Sequence, residues 1–181
     1  MIIGISGKSG SGKTSIANEL VNKGYDIFNL DRCSKLIREM YKEEIVNLVK
    51  SKDILTNDEI DSKKLGKLLF NDLELMDLYN KFIYSKQKDM IEEFIKENEK
   101  VVIDGMFLPI MDIFDLCNYK ILVECEEDIR KKRILDRDKI DEEYLNKREK
   151  YSLEYNKDDF DFVIDNSYSY KEKLEEMLKE M

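Results

Sequence analysis

The length, composition and charge of the chain narrow the classes of protein to which it can belong. Its 181 residues suit one domain with its own core, and 42% hydrophobic against 39% charged residues is typical of a globular rather than a disordered chain. The formal charge of −9 opposes the broad positive surface on which nucleic-acid binding depends. We therefore expect no nucleic-acid partner.

The sequence also indicates which targeting segments and metal sites to expect. The apolar start, residues 1–5, is too short for a signal peptide, and no run approaches the ~18 apolar residues of a membrane span. These features predict a cytoplasmic protein with no membrane partner. With three Cys and no His, a zinc site, a disulfide framework and His-dependent catalysis are not expected. Acid–base work must fall to Asp, Glu, Lys or Tyr.

The segment from Gly7 to Thr14 matches the phosphate-binding pattern G-x-x-x-x-G-K-S/T without a mismatch. Glycines let successive backbone N–H groups turn towards one anion. Lys13 would contact the terminal phosphates of a nucleoside triphosphate, Thr14 would ligate Mg²⁺, and the following helix would direct its positive end at the same charge. The expected phosphate-binding residues are Gly7, Lys8, Ser9, Gly10, Ser11, Gly12, Lys13, Thr14 and Ser15.

The residues around this loop have the required context, because a short apolar run precedes it and a helical pattern follows it. After Gly24, which would end the first helix, the chain continues to alternate strand and helix patterns. The predicted elements are a strand at 25–30, a helix at 33–50 with a break near Glu43, a helix to Phe70 capped by Asn57 or Asp58, and one long or two short helices at 73–96. We interpret residues 53–98, all helical, as an insertion that reads a substrate, within a core of 1–52 and 99–181.

The second half of the chain supplies three more strand patterns. The predicted strands cover 100–104, 119–124 and 161–165, and the predicted helices cover 128–137, 141–156 and 170–179. Strands that alternate with helices predict an α/β fold with a parallel, doubly wound sheet. Ligands of such sheets bind at the carboxyl ends of the strands.

Two acidic residues follow strand ends and are candidates for phosphoryl-transfer chemistry. Asp104 is placed like the acid that holds Mg²⁺, although Asp before Gly105 also suits a simple turn. Asp31 could accept the proton of an attacking hydroxyl group or orient it. Its structural alternative is an N-cap of the next helix.

Three arginines lie on one face of a predicted basic helix. Arg130, Arg133 and Arg137 are spaced i, i+3 and i+7, and an exposed charged face is the usual explanation of such a run. Phosphoryl transfer needs cations against the phosphate oxygens, and Arg supplies a planar, permanently charged fork. We favour this role for Arg133 and Arg137 and the exposed face for Arg130.

A GTPase is the alternative class of phosphate-loop protein. Residues 156–159 fit its base-reading pattern N-K-x-D, but the residues before them look helical rather than strand-like. No Gly in the chain has an Asp three residues before it, so the D-x-x-G pattern is missing. We interpret the match as the polar end of a helix.

The ordered series of motifs resembles the dephospho-CoA kinase family over nearly the whole chain. The segments that carry the resemblance are 3–14, 24–31, 58–72, 101–104, 133–138 and 161–166. It implies a five-stranded P-loop kinase core, a helical substrate domain and a basic lid at about 128–150. It also implies transfer of the ATP γ-phosphoryl group to the ribose 3′-hydroxyl of dephospho-CoA. On this mapping Asp31 is the family's base and Arg133 and Arg137 are its lid arginines, with Arg148 a further basic position.

The chain departs from the family pattern mainly on the substrate side. The departures are Asn29 in place of an acid, Tyr84-Ser85 in place of His-Pro, Met106-Phe107-Leu108 in place of Pro-Leu-Leu, and Ser152 in place of Gln. Two alternatives therefore stay open. One is a P-loop kinase for another nucleoside or nucleotide, and the other is a non-catalytic ATP-binding relative of a kinase.

Overall fold

The computed structural model describes all 181 residues, which fold into two compact units. One unit is formed by Met1–Asn29 with Ile95–Met181, and the other by Leu30–Phe94. The strands are, in chain order, β1 (Ile2–Ser6), β2 (Asp26–Asn29), β3 (Leu55–Thr56), β4 (Glu59–Ile60), β5 (Val101–Asp104), β6 (Tyr119–Glu124) and β7 (Phe162–Asp165). The helices are α1 (Lys13–Asn22), α2 (Leu30–Met40), α3 (Lys42–Val49), α4 (Ser62–Phe70), α5 (Leu73–Glu97), α6 (Glu127–Asp138), α7 (Glu142–Glu149) and α8 (Lys171–Glu180). Short 3₁₀ helices lie at Leu108–Ile110, Asp112–Leu116 and Lys157–Asp159.

The first unit is built on a five-stranded sheet with the order β2-β5-β1-β6-β7, and every strand pair in it is parallel. This confirms the predicted parallel α/β fold. Strands β1, β5 and β6 occupy the interior of the sheet, and their central apolar residues are almost fully buried, among them Ile3, Ile103 and Ile121. In the register of β2, β5 and β1, Asn29 pairs with Asp104 and Asp104 pairs with Ile5. The carboxyl ends of three strands therefore lie side by side.

Two predicted boundaries in the first unit are wrong. The strand predicted over 25–30 ends at Asn29, and Leu30 already belongs to α2. The helix predicted over 141–156 ends at Glu149, and the chain from there to 156 is irregular. Asn156 does not end a long helix, because its side chain caps a 3₁₀ helix by accepting the N–H of Asp158. No strand precedes it, so the GTPase pattern lacks its context here too.

The second unit contains a β-hairpin that the sequence analysis missed. Strands β3 and β4 pair antiparallel, and the turn between them is Asn57-Asp58, with φ of 50° and 64°. Positive φ at both turn positions matches the twist of a two-residue hairpin, and Asn and Asp tolerate it best after Gly. The N-cap of α4 is Asp61, which accepts the N–H groups of Lys63 and Lys64. The prediction that 53–98 is all helix, capped by Asn57 or Asp58, is therefore wrong.

Helix α5 settles the alternative between one long helix and two short ones. It is continuous over 25 residues, and its buried residues Tyr79, Ile83, Gln87 and Ile91 are four positions apart. This spacing places them on one face. Helix α5 remains amphipathic despite its length, and none of the helices has the combined length and apolar character of a membrane span.

Candidate active site

The loop between β1 and α1 has the backbone form of a phosphate cradle. Gly7, Gly10 and Gly12 have φ of 149°, 79° and 96°. A Cβ atom on Gly7 would lie 2.2 Å from the Val123 carbonyl oxygen, and one on Gly12 would lie 2.0 Å from Asn166 Nδ2. The positive φ and the lack of room for a Cβ atom therefore both require Gly at these two positions.

Two polar groups of the loop fit an anionic ligand. The Lys13 ammonium donates to the carbonyl oxygens of Gly7 at 2.8 Å and Lys8 at 3.2 Å, so it lies across the loop. Ser11 Oγ is buried and has no hydrogen-bond partner in the structure. A buried hydroxyl group without a partner is costly, and a phosphate oxygen would satisfy it. The residues present therefore fit a triphosphate.

At the carboxyl edge of the sheet, two polar side chains donate to one oxygen atom of a third. Asp104 Oδ2 accepts hydrogen bonds from Thr14 Oγ1 and Asn29 Nδ2, both at 2.9 Å. Asp104 is buried, and its place follows from the alignment of β2 with β5. Mg²⁺ prefers oxygen ligands and keeps several waters, so one hydroxyl and one carboxylate suffice with phosphate oxygens. This donor set fits Mg²⁺, and the structure contains no cluster of three Cys, Asp or Glu side chains suited to another metal.

The three arginines of α6 have different environments. Arg130 is buried, which contradicts the expectation that it belongs to an exposed face. Its guanidinium donates to the Ser9 carbonyl oxygen at 3.0 Å and to Glu149. Arg133 donates to the Asn166 carbonyl oxygen at 3.0 Å. Its Nη1 atom lies 4.0 Å from the point that a Cβ on Gly12 would occupy.

Arg137 is exposed and shares a partner with Arg148. Arg137 Nε donates to Asp138 at 2.6 Å, and Arg148 Nη1 donates to the same carboxylate at 2.9 Å. Hydrogen bonding to Arg137, and secondarily to Arg148, holds the pKa of Asp138 below its usual value. The side chain of Arg137 is 60% exposed. The structure thus brings Arg133 to the loop and leaves Arg137 on the surface.

Two residues of the site were missed by the sequence analysis. Asn166 is buried directly after β7, and its side-chain amide donates to the Ser11 carbonyl oxygen at 2.8 Å. The hydroxyl group of Tyr155 donates to the Met106 carbonyl oxygen at 2.8 Å. Burial raises the pKa of Tyr155 above its usual value. Asn166 directly follows β7, and Asp104 is the last residue of β5. A polar residue at the end of a predicted strand was therefore the sequence signal that could have identified Asn166.

Asp31 belongs to the other unit of the chain. It lies in the first turn of α2, two residues after Asn29, and is exposed. The structure does not support the N-cap alternative, because α2 already begins at Leu30. An acid in the first helical turn is favourable towards the helix dipole, and its side chain is accessible.

Comparisons with known proteins identify the family. The family model described as dephospho-CoA kinase matches residues 1–172. This chain belongs to the dephospho-CoA kinase family. A dephospho-CoA kinase of Fusobacterium nucleatum is 30% identical, with 100% of this chain and 95% of the relative covered. One of Rickettsia prowazekii is 30% identical over 84% of this chain and 80% of the relative.

Solved structures share the fold of this family member. A protein from Thermus thermophilus, named TT1252, superimposes with a TM-score of 0.83 at 24% identity, covering 99% of this chain and 95% of that chain. The dephospho-CoA kinase of Campylobacter jejuni gives a TM-score of 0.60 at 21% identity, covering 98% and 94%. At these identities the likeness shows the fold alone. The family resemblance and the P-loop kinase fold are confirmed.

The loop geometry predicts a severe effect of Gly12→Ala. The new Cβ would meet Asn166 Nδ2, at a backbone φ of 96° that side-chained residues rarely adopt. We expect ATP binding to weaken at least about tenfold, because the strain displaces amides that preorganise the loop. Gly66→Ala is the control, since Gly66 is helical and its nearest side-chain neighbour lies at 3.7 Å. Calorimetric titration of both variants with a non-hydrolysable ATP analogue checks this, and equal affinities would contradict it.

The ion pair of Arg130 and Glu149 predicts how stability depends on pH. Hydrogen bonding to Arg130 is the largest influence and holds the pKa of Glu149 below its ordinary value. The stabilisation is complete above the unfolded-state pKa, about 4.3 for Glu, and is lost as pH falls through the folded-state pKa. Glu149→Gln should therefore have a lower unfolding temperature than wild type at neutral pH, and the difference should narrow at acidic pH. A difference that stays constant from pH 7 to 3.5 would contradict this.

Proposed function

We propose that this chain transfers the γ-phosphoryl group of ATP to the ribose 3′-hydroxyl of dephospho-CoA, giving coenzyme A, and that it does so in the cytoplasm. The observation that carries the proposal is the phosphate loop with its Thr14–Asp104 contact, in a chain matched by the family model over residues 1–172. The phosphate loop and the family both support phosphoryl transfer from ATP. Dephospho-CoA is supported as the acceptor by the names of the family and of its relatives.

The loop binds the triphosphate through backbone amides and one ammonium. The amides of Gly7 to Ser15 and the positive end of α1 face the same anion. Lys13 exchanges its carbonyl partners for phosphate oxygens, a stronger, charge-assisted contact. These groups are fixed before ATP arrives, so little reorganisation is needed when charge shifts during transfer.

Thr14 and Asp104 are the residues that would hold Mg²⁺. A Mg²⁺ ion held by these two residues would supply positive charge against the charge that develops on the phosphate oxygens. Asn29 donates to the same Asp104 oxygen as Thr14 and therefore fixes the carboxylate rotamer. Its neutral amide adds no second negative charge at this position.

Asp31, Arg133 and Arg137 complete the proposed machinery. Asp31 accepts or orients the proton of the attacking hydroxyl group, since the chain has no His for this work. Arg133 and Arg137 direct positive charge to the transferring phosphoryl group. The lid at about 128–150, which comprises α6 and α7, excludes water so that ATP is not hydrolysed.

Phosphorylation of a defined acceptor tests the proposal. Purified protein is incubated with ATP labelled at the γ-position, Mg²⁺ and either dephospho-CoA or a panel of nucleosides and nucleotides. We expect label in dephospho-CoA, and none in an analogue that lacks the 3′-hydroxyl. Preferred labelling of a nucleoside or nucleotide would replace the acceptor, a rival that the substrate-side departures at Asn29 and Tyr84-Ser85 favour. ATP binding without turnover on any acceptor would support a non-catalytic relative.

A further inference from the structure

A buried cation at the base of α6 is not used by the roles assigned above. Arg130 is 3% exposed, yet it carries a permanent charge. One guanidinium nitrogen donates to the Ser9 carbonyl oxygen at 3.0 Å, and both terminal nitrogens donate to the Glu149 carboxylate. We propose that Arg130 is a positioning residue, which ties the tip of the phosphate loop to α7 and holds the loop in its ATP-binding form. This inference rests on the proposed function insofar as ATP is the ligand.

The loop tip packs directly on Arg130. A Cβ atom on Gly10 would lie 2.8 Å from the Arg130 carbonyl oxygen and 3.1 Å from its Cγ atom. Gly10 therefore allows the loop to approach α6 closely, and the guanidinium reaches the neighbouring residue Ser9. Backbone and side chain of one residue contact two successive positions of the loop. A shift of Arg130 would move the amides that bind phosphate.

Glu149 makes this arrangement possible. A buried guanidinium without a counter-charge is strongly destabilising, whereas a bidentate carboxylate partner fixes both its charge and its plane. The side chains of Arg130 and Glu149 are 4% and 19% exposed. The loop residue Lys8 also pairs with Glu154, but that carboxylate is 85% exposed, so the pair contributes little. Of these two ion pairs, the one formed by Arg130 is therefore the buried one that connects the loop to α7.

A positioning role and a merely structural role predict different kinetics. If Arg130 preorganises the loop, its loss raises the cost of ordering the loop when ATP binds, and KM for ATP rises more than kcat falls. If the ion pair only holds two helices together, thermal stability falls and the affinity for ATP below the unfolding temperature is unchanged. Measuring both the unfolding temperature and the affinity for ATP therefore distinguishes the positioning role from the structural role.

The experiment compares Arg130→Gln, Glu149→Gln and the double variant with wild type. We expect each single variant to raise the Kd of a non-hydrolysable ATP analogue about tenfold, and the double variant to be far from additive because the two side chains act as one unit. KM for dephospho-CoA should stay unchanged. The control is Lys147→Gln with Glu143→Gln, an exposed pair on α7 with atoms 2.8 Å apart, which should leave the Kd unchanged.

Arg130→Lys keeps the test informative if a glutamine variant does not fold. Lysine retains the charge but lacks the fork that reaches Ser9 and Glu149 together, so we expect a raised Kd with a nearly normal unfolding temperature. Wild-type affinity for the analogue in Arg130→Lys and in any folded glutamine variant would overturn the inference. Absence of dephospho-CoA phosphorylation by the wild type would overturn the proposed function instead. Binding of the ATP analogue would still test Arg130.

Discussion

Lys13→Ala is expected to lower the turnover of dephospho-CoA by about 10³-fold, since removing one preorganised donor to a transition-state oxyanion already costs 10²–10³. The ammonium lies across the loop and contacts the Gly7 and Lys8 carbonyl oxygens at 2.8 and 3.2 Å. Its loss removes the positive charge that faces the terminal phosphates and also a brace of the loop. Affinity for ATP and turnover should therefore fall together, which initial rates and calorimetric titration with an ATP analogue would measure.

Lys23→Ala is the matched control for this substitution. Lys23 is an exposed residue at the carboxyl end of α1, the same helix that Lys13 begins. It changes the net charge by the same amount without touching the loop, so turnover and ATP affinity should match wild type. A Lys13→Ala protein that is folded and retains more than about a tenth of wild-type turnover would refute the role of Lys13, because such a loss is under 1.4 kcal/mol of barrier.

The elements around the loop were predicted well because their patterns have few structural meanings. An apolar run, a glycine-rich phosphate pattern and an amphipathic run specify strand, loop and helix in order, and β1 and α1 are where they were expected. Asn57-Asp58 was misread because the same side chains suit helix caps and left-handed turns. The hairpin strands it joins have two residues each, too few to show an alternating pattern.

The contacts that hold the loop could not be predicted from spacing along the chain. Asn166 and Ser11 are 155 positions apart, and Arg130 and Ser9 are 121 apart. Periodicity places three arginines on one face of a helix, but it does not say what that face packs against. The Arg130 side chain was therefore predicted to be exposed, although in the fold it contacts the loop at Ser9. Asp104 could be proposed from the sequence because strand ends in a parallel sheet share one edge.

The distribution of charge explains how an acidic chain accommodates a triphosphate. The net charge is −9, yet Lys13, Arg130 and Arg133 are gathered around one loop. Glu149 neutralises the most buried of these cations, Arg130. Local potential, rather than net charge, decides binding of a small anion.

Asp31→Asn is expected to reduce turnover of dephospho-CoA by about 10²- to 10³-fold, which lies within the usual contribution of a general base. The amide of Asn cannot take the proton of the 3′-hydroxyl group at neutral pH. Asp31 is exposed in the first turn of α2 and lies outside the phosphate loop in sequence, so ATP affinity should stay close to wild type. The expected signature is therefore a fall in kcat with a nearly unchanged Kd for an ATP analogue, opposite to the pattern of the Arg130 variants.

Asp26→Asn controls for the loss of one negative charge nearby in the chain. Asp26 is exposed at the start of β2, and its backbone N–H, which the substitution keeps, donates to the Lys100 carbonyl oxygen. Its turnover should equal wild type. Asp31→Glu adds a further distinction, because a carboxylate that only needs to accept a proton tolerates an extra methylene better than one that must orient the hydroxyl group. Wild-type kcat in Asp31→Asn would show that another group receives the proton, and the assignment of Asp31 would then be wrong.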